Sequence, residues 1–561
     1  VSTATIALQE QYIHKDLPFL AQALPVKFVA QLVKGRGHYL SKRRWQEYLL
    51  GQAASETFKT WTETTATGDN AELPTVPPTA LWEEVRSDKD DCLREQCPHH
   101  RECFFFQNRR QLAEAQVLVT NHAFLLADLV SGRQLMPPYD LVIIDEAHQF
   151  TEIATRALTL QLSNFALQRL FARVQKLFSP GPPLVEAEQR ANQLFLSLMA
   201  GEVTNSRRYG ADAALVTELY LGLGHLAEKL QSLNFKPDRS VGLEAQISQM
   251  RRDRLVENLL GHQGTLNTLL GVDPQWVKWV DYESRPNGTR ITLNAAPLAI
   301  ADQLRDWFFR DESPTSVWMS ATLTSGRTDP FAYLRDQIGL APQLAQELVL
   351  ESPFDYREQA LLYLPSPALP EPNDPLFLPR ALPVVRQLVE AAGGHSLVLF
   401  TSSTAMRYCY DALSSQLTFP CRIQGQSSRR QLLAWFSQAE QPVLFATASF
   451  WEGVSIEGSQ LRLVIIDRIP FPAPGDPVYE ARCELLKAQS QSWFNRLALP
   501  QAALKLKQGV GRLIRTRRDR GVVAILDPRL VQKGYGKQLL KSLPPFQVSS
   551  QFSDLAGYLQ D

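Results

Sequence analysis

A net charge of either sign is the first thing this sequence lacks. Its 58 lysines and arginines balance 58 aspartates and glutamates over 561 residues, so any surface for a polyanion has to be local rather than global. Long apolar runs are missing as well. Hydrophobic residues make up 44% and charged residues 21%, the range of ordinary globular chains, and no membrane association is expected. Cysteine is scarce: six in a chain of this size do not make a disulfide scaffold, and no positively charged, apolar leader precedes the first strand, so a reducing cytoplasm is expected. There is no internal repeat and no long low-complexity segment. The first residue is Val1 rather than methionine, and Val1–Leu8 reads as the middle of an element already under way, which leads us to expect upstream sequence. The length exceeds what one hydrophobic core supports and implies three or four structural units.

What is present is a recurrent pattern of short apolar, β-branched runs ending in small or polar residues. They are Val117–Thr120, Leu141–Ile144, Ser316–Met319, Leu397–Phe400, Val443–Phe445, Leu463–Ile466 and Val522–Leu526. Each reads as a buried parallel strand. Helical patterns separate several of them, which predicts open α/β sheets with functional residues at strand C-termini. Two stretches break the rhythm. From about Gly35 to Arg110 the chain is polar, with Pro- and Thr-rich patches and three of the six cysteines. From about Thr151 to Trp279 it is mostly helical; Leu167, Leu170, Phe171, Val174, Leu177 and Phe178 form one apolar stripe that belongs to a core. Trp276–Glu283 and Arg290–Leu293 flank Asn287-Gly288, a hairpin signal.

Three signatures carry chemistry. In Val142-Ile143-Ile144-Asp145-Glu146-Ala147-His148 a buried strand delivers two adjacent carboxylates to a sheet edge, where Asp145 is suited to hold Mg²⁺ through water and Glu146 to polarise an attacking water. Ser320-Ala321-Thr322 follows another strand and places hydroxyls at the same edge, where they would couple a phosphate site to movement of the next domain. In Gln508-Gly509-Val510-Gly511-Arg512-Leu513-Ile514-Arg515, a helix would put Gln508, Arg512 and Arg515 on one face, two guanidiniums suited to a γ-phosphate. The surrounding run from Lys505 to Arg520 is basic, with Asp519 its one counter-charge; Arg517, Arg518 and Arg520 read equally well as a solvated face.

In this order, with a large insertion after the first, the signatures resemble superfamily 2 helicases of the XPD-like branch, specifically the bacterial DinG/YoaA type. Val1–Gln11 is similar to motif Ia of that family, Asp145–His148 to its DEAH box, Ser320–Leu323 to motif III, Ala448–Gly453 to motif V and Gln508–Arg515 to motif VI. Thr120-Asn121-His122, Asp527-Pro528-Arg529 and Tyr535-Gly536 also match. The resemblance implies an ATP-dependent, Mg²⁺-requiring helicase moving 5′ to 3′ on single-stranded DNA, acting on forked or tailed duplexes in replication or repair, and a monomer. It implies two RecA-like parallel-sheet domains in an α/β chain. The first comprises residues 1–34, 117–150 and 291–328, interrupted by an iron–sulfur-type insertion at 35–116 and a helical arch at 151–290; the second spans 329–561. Asp145, Glu146, His148, Gln508, Arg512 and Arg515 would be catalytic, the front carboxylates and rear guanidiniums meeting across a shared cleft. Ser320, Thr322, Glu452 and Gly453 would serve the nucleotide. Thr3, Gln9, Thr401, Ser402, Phe450 and Trp451 would contact DNA, through hydroxyls, backbone amides or stacking. Of Phe104, Phe105 and Phe106, at least two belong to a core. Cys92, Cys97 and Cys103 would be three of four cluster ligands.

The chain departs from the family in three places. No G-x-x-x-x-G-K-[ST] phosphate loop occurs, so the 561 residues alone are expected to bind and hydrolyse ATP poorly. Ser41 stands where the first cluster cysteine is expected, with His38, His99 and His100 as alternative donors. Ser455 stands where motif V usually has aspartate. A second reading is therefore a non-hydrolysing DNA-binding or scaffold protein derived from such a helicase, and a further one is zinc rather than iron at the cysteines.

Overall fold

All seven apolar runs form strands, as expected of alternating Val, Ile, Leu and Phe side chains, but one of them, Thr315–Met319, is not buried as expected and has no buried residue. They are Val117–Asn121, Leu141–Asp145, Thr315–Met319, Ser396–Phe400, Val443–Thr447, Leu463–Ile466 and Gly521–Ile525. Every one pairs in parallel, as expected. The structure is a computed structural model. It describes the chain apart from residues 74, 76, 90, 200–205, 234–241, 287, 326–328, 367–368, 448–449, 451–459 and 560–561 and the side chains of 242–247. The chain divides into two compact units, residues 1–320 with 475–481, and residues 321–474 with 482–561.

In the first unit a five-stranded sheet runs in the order Ala30–Leu32, Val117–Asn121, Ser2–Thr3, Leu141–Asp145, Thr315–Met319. Leu141 pairs with Thr315 and Asp145 with Met319, so Asp145 and the residues after Met319 arrive at the same end. One face is sealed by Phe150, Phe308 and Trp318, whose rings meet edge to face at 5.0–5.7 Å. On the opposite face Leu141, Val317 and Met319 are 51%, 44% and 45% exposed. Thr315–Met319 is the edge strand, paired on one side only among the described residues.

The cysteine-bearing insertion has its own aromatic core of Tyr39, Trp45, Phe58, Trp61, Phe104 and Phe105. Phe104 and Phe105 are buried and Phe106 partly so, as expected for two rings of three. Gly68, at φ +65°, lies against Phe104 so closely that a Cβ would come within 2.3 Å of the ring; only glycine serves there.

The second insertion holds four long helices, Asn164–Phe178, Pro182–Met199, Ala213–Gln231 and Gly242–Leu270. It is not helical alone: a four-stranded antiparallel sheet, ordered Leu160–Ser163, Gly288–Pro297, Trp276–Arg285, Ser206–Arg208, packs with them. The hairpin signal was right, with Arg285 opposite Gly288, while Asn287 lies outside the described residues. Its second strand runs to Pro297, past the boundary expected at residue 290. In the helical stripe, Leu167, Leu170, Phe171 and Val174 are buried, but Leu177, at the last turn, is 37% exposed.

The second unit is built on a seven-stranded parallel sheet, ordered Cys421–Ile423, Val443–Thr447, Ser396–Phe400, Leu463–Ile466, Gly521–Ile525, Ala360–Tyr363, Gln547–Ser549. Leu397 and Leu399 point into one core, Val398 and Phe400 into the other, so both faces are clad. Side chains at helix starts satisfy backbone amides there: Ser402 accepts from the Ala405 amide, and Ser428 with Gln431 forms a capping box.

Candidate active site

The Leu141–Asp145 strand ends in a forced conformation. Glu146 has φ +52° and ψ +42°, a left-handed geometry that costs a β-carbon residue roughly 1–2 kcal/mol. It turns the chain sharply into the short helix Ala147–Gln149 and presents both carboxylates at the sheet edge. Ser320 Oγ donates to Glu146 Oε2 at 3.0 Å. That hydroxyl has one proton, so the 2.8 Å contact with His148 Nδ1 assigns Nδ1–H as donor to serine. His148 Nδ1 is also 3.4 Å from Glu146 Oε2. Glu146, His148 and Ser320 thus form one network, which joins the DEAH-like run to the Ser-Ala-Thr run through residues 172–174 positions apart.

Asp145 is held from a different direction: Tyr12 Oη donates to its Oδ2 at 3.1 Å. Burial, and then the neighbouring Glu146 charge, raise the Asp145 carboxyl above the usual range. The Tyr12 hydroxyl is raised as well, by burial and then by Asp145. Sequence reading missed Tyr12, and no local signal marks a partner 133 residues away. Thr3 and Gln9 are enclosed, at 0% exposure, with Gln9 Nε2 donating to the Val33 carbonyl. They are therefore interior residues here, not a DNA-contacting surface.

In the second unit, the helix expected to carry Gln508, Arg512 and Arg515 on one face stops early. It spans Leu499–Val510, with Gly511 as its cap, and Arg512 and Arg515 lie in the turns beyond. Loop geometry places them instead. Arg512 Nε donates to the Gln508 carbonyl at 3.2 Å, and buried Asp519 accepts from the amides of Arg515 and Thr516 at 2.7 Å each. Asp519 is thus a loop organiser rather than a counter-charge, and Arg517, Arg518 and Arg520 are exposed. Gln508 is buried at 6% exposure. Lys507, unforeseen, donates to the Thr324 carbonyl and hydroxyl at 2.6 and 2.9 Å; burial pulls its pKa down to about 8.

Thr401 and Ser402 are half-buried at the end of the Ser396–Phe400 strand. The Thr401 amide donates to Asp467 Oδ1 at 3.0 Å, and Ser402 is the helix cap already described. Phe450 is 1% exposed in the core, beneath the Arg429 guanidinium, so its ring is not available to stack on a base. Trp451, Glu452, Gly453 and Ser455 lie outside the described residues. Thr322 is half-buried and belongs to the second unit.

Cys92, Cys97 and Cys103 line one small cavity, together with Ser41, Arg43, Arg44, His100 and Phe106. None is in a disulfide, and the Cys103 thiol is pushed up by burial and feels its two neighbours. Among the described residues no three His, Cys, Asp or Glu side chains converge on one point as metal ligands. No described helix is long and apolar enough to cross a membrane.

Residues 79–167 match the DEAD_2 family and residues 385–546 the helicase C-terminal domain family. The chain is 33% identical over 568 residues to the ATP-dependent DNA helicase YoaA of Escherichia coli K12, covering 97% of this chain and 86% of that protein. It is 32% identical to the ATP-dependent helicase DinG of Mycobacterium tuberculosis H37Rv, covering 100% and 87%. Among solved structures, an XPD helicase aligns with TM-score 0.55 at 15% identity, over 98% of this chain and 91% of that one. The structure of S. tokodaii Xpd4 aligns with TM-score 0.52 at 14% identity, over 79% and 84%; at such identities the likeness speaks for the fold alone. The DEAH-like network, the two α/β units and an identity of 32–33% over nearly the whole of this chain make it a member of the DinG/YoaA family of ATP-dependent DNA helicases.

Proposed function

We propose that this protein is a motor that hydrolyses ATP to move 5′ to 3′ along single-stranded DNA and opens forked or tailed duplexes in replication or repair. The observation that carries this reading is the Glu146–Ser320–His148 network beside Asp145. In the proposed site Asp145 would hold Mg²⁺, which supplies charge neutralisation for the phosphates. Glu146 would draw a proton from the attacking water, and Ser320 with His148 would keep its carboxylate aimed. Arg512 and Arg515 would stabilise charge on the transferred phosphoryl group. Thr322, Glu452 and Gly453 remain assigned to the nucleotide, and Thr401, Ser402 and Trp451 to DNA. Cys92, Cys97 and Cys103 would hold an iron–sulfur cluster, a one-electron and structural group in its own right.

A strand-displacement assay on 5′-tailed and 3′-tailed duplexes tests the polarity: unwinding is expected on the 5′-tailed substrate only. Arg512→Ala is expected to lower DNA-stimulated ATPase by about 10³-fold; an unchanged rate removes that residue from the mechanism. DNA binding without any hydrolysis by the wild-type gene product would favour the scaffold reading, in which the missing phosphate loop and Ser455 would then have their meaning.

A further inference from the structure

We propose that His122 is a positioning residue of the Glu146 turn: its Nε2–H closes onto the main-chain carbonyls at Asp145 and Glu146 as the site reaches its reactive geometry, and steadies the left-handed backbone that aims Glu146. The proposal rests on the ATPase reading above and deepens it, giving work to the Thr120-Asn121-His122 run that this reading leaves unused.

Sheet order puts the ring where such a hold is possible. The strand Ser2–Thr3 lies between Val117–Asn121 and Leu141–Asp145, with Ser2 opposite Thr120 on one side and Ile144 on the other. On the second side the ladder stops at Ile144, so Asp145 and Glu146 run on past it with no strand partner there among the described residues. His122 is the first residue beyond the Val117–Asn121 strand, where the Asn121 side chain caps the helix His122–Val130. Its side chain is fully buried. Nδ1 lies 2.8 Å from Ser2 Oγ, and the ring packs edge to face on Phe150 at 5.1 Å. The imidazole is thus fixed between the middle strand and the helix that follows the Glu146 turn.

The tautomer follows from these neighbours. Burial above all pulls the His122 pKa down to about 4, so the ring is neutral and carries one N–H. The main chain of Asp145 and of Glu146 acts against burial, drawing a proton onto the ring as carbonyl oxygens do. With Nδ1 turned to Ser2, that proton sits on Nε2, and Nδ1 accepts from the Ser2 hydroxyl. The role needs no proton transfer.

Nε2 is buried and bonded to nothing in this geometry. A buried donor left open is a cost that folding alone would remove; phenylalanine would fill the space beside Phe150 without it. Hydrogen bonds at reactive sites often tighten only as substrate is drawn in, and strained backbone persists where its surroundings over-determine it. Ser320 and Tyr12 hold the side chains of Glu146 and Asp145. His122 adds a hold on the peptide itself, beside the bond from the Gln149 amide to the Glu146 carbonyl at 3.0 Å. A bond completed on the way to the transition state acts on kcat and leaves the KM for ATP alone.

The test compares wild type, His122→Phe and His122→Gln, with Glu146→Gln as the reference for lost ATPase. DNA-stimulated ATPase, melting curves and hydrogen exchange of the peptide covering residues 145–150 are measured, the last with and without Mg²⁺ and a non-hydrolysable ATP analogue. In His122→Phe, kcat is expected to fall about tenfold at unchanged KM, with the thermal midpoint held or raised and exchange at 145–150 quickened. His122→Gln, whose amide offers an N–H on the Nε2 side, should recover most of the rate. Wild-type kcat with a lowered midpoint in His122→Phe overturns the proposal, since that describes a core histidine and nothing more. So does His122→Gln as slow as His122→Phe at equal stability. If His122→Phe does not fold, His122→Asn, which keeps a polar group on the Ser2 side only, takes its place with the same expectations. Wild type no faster than Glu146→Gln sinks the ATPase reading; exchange at 145–150 then still decides the hold, and exchange unchanged in both conditions overturns it.

Discussion

The two parallel sheets solve the same problem by different means. In the second unit the central strands are buried on both faces between two apolar clusters, and their ends carry hydrogen bonds as well, as from the Thr401 amide to Asp467 Oδ1. In the first unit one face carries exposed Leu141, Val317 and Met319 and the edge strand has one neighbour among the described residues. There, hydrogen bonds fix what packing leaves loose: Ser320 and His148 on Glu146, and Tyr12 on Asp145. The first sheet is held at the end that bears Asp145 and Glu146 by polar contacts, so the function proposed for it and its stability should respond to different substitutions.

The largest expected effect breaks function without touching packing. Glu146→Gln in the gene product should lower DNA-stimulated ATPase by about 10²–10⁴-fold, with its thermal midpoint nearly unchanged. Ser320→Ala should cost only about tenfold, the loss of one orienting hydrogen bond. Steady-state kinetics beside a melting curve checks both, and a collapse of the melting curve in Glu146→Gln would contradict the separation drawn here. The converse substitution is Phe445→Ala in the fully clad sheet, expected to destabilise the second unit by about 3–5 kcal/mol. Val317→Ala, on the open face, should stay within about 0.5 kcal/mol. Urea titration of each variant makes the contrast quantitative, and equal shifts would erase it.

A pH experiment sharpens the comparison further. Asp467 is buried at the end of the Leu463–Ile466 strand, and burial, against the pull of Arg468, pushes its carboxyl up to about 6 from 3.8. A raised folded-state value means that folding favours the protonated acid. Its contribution to stability is therefore full below about 3.8 and is lost as pH rises through about 6. Relative to Asp467→Asn, the wild-type second unit should lose stability across that window, and parallel stability curves for the two proteins would refute the assignment. Smallest is Tyr12→Phe, which removes one hydrogen bond to Asp145, worth about 1 kcal/mol. It should shift the Mg²⁺ concentration for half-maximal ATPase a few-fold while the maximal rate holds.

How much of this could be read from residues alone follows from which interactions are local. The strands were legible because a buried parallel strand needs an unbroken apolar run, and Leu463–Ile466 and Val443–Phe445 have no other use. The hairpin was legible from Asn287-Gly288. The strands Leu160–Ser163 and Ser206–Arg208 were not, being short and partly polar, with their pairing partners 71 to 135 residues away. At the site, the identities of Asp145, Glu146 and Ser320 were visible, whereas Tyr12 was hidden by distance. The early end of the helix before Arg512 depends on Gly511, a residue the sequence shows but whose weight against the helical spacing it does not. Thr3, Gln9 and Phe450 were misjudged for a common reason: polarity or aromaticity says what a side chain can do, and burial decides whether it meets the ligand.

The left-handed backbone at Glu146 sets one further condition on this family member. Glycine at that position would relax the turn by about 1 kcal/mol and would abolish the carboxylate, so selection for sturdiness and selection for turnover pull residue 146 in opposite directions. A library screened only for heat resistance should enrich Glu146→Gly, and on the proposed function every survivor of that kind should have lost its ATPase.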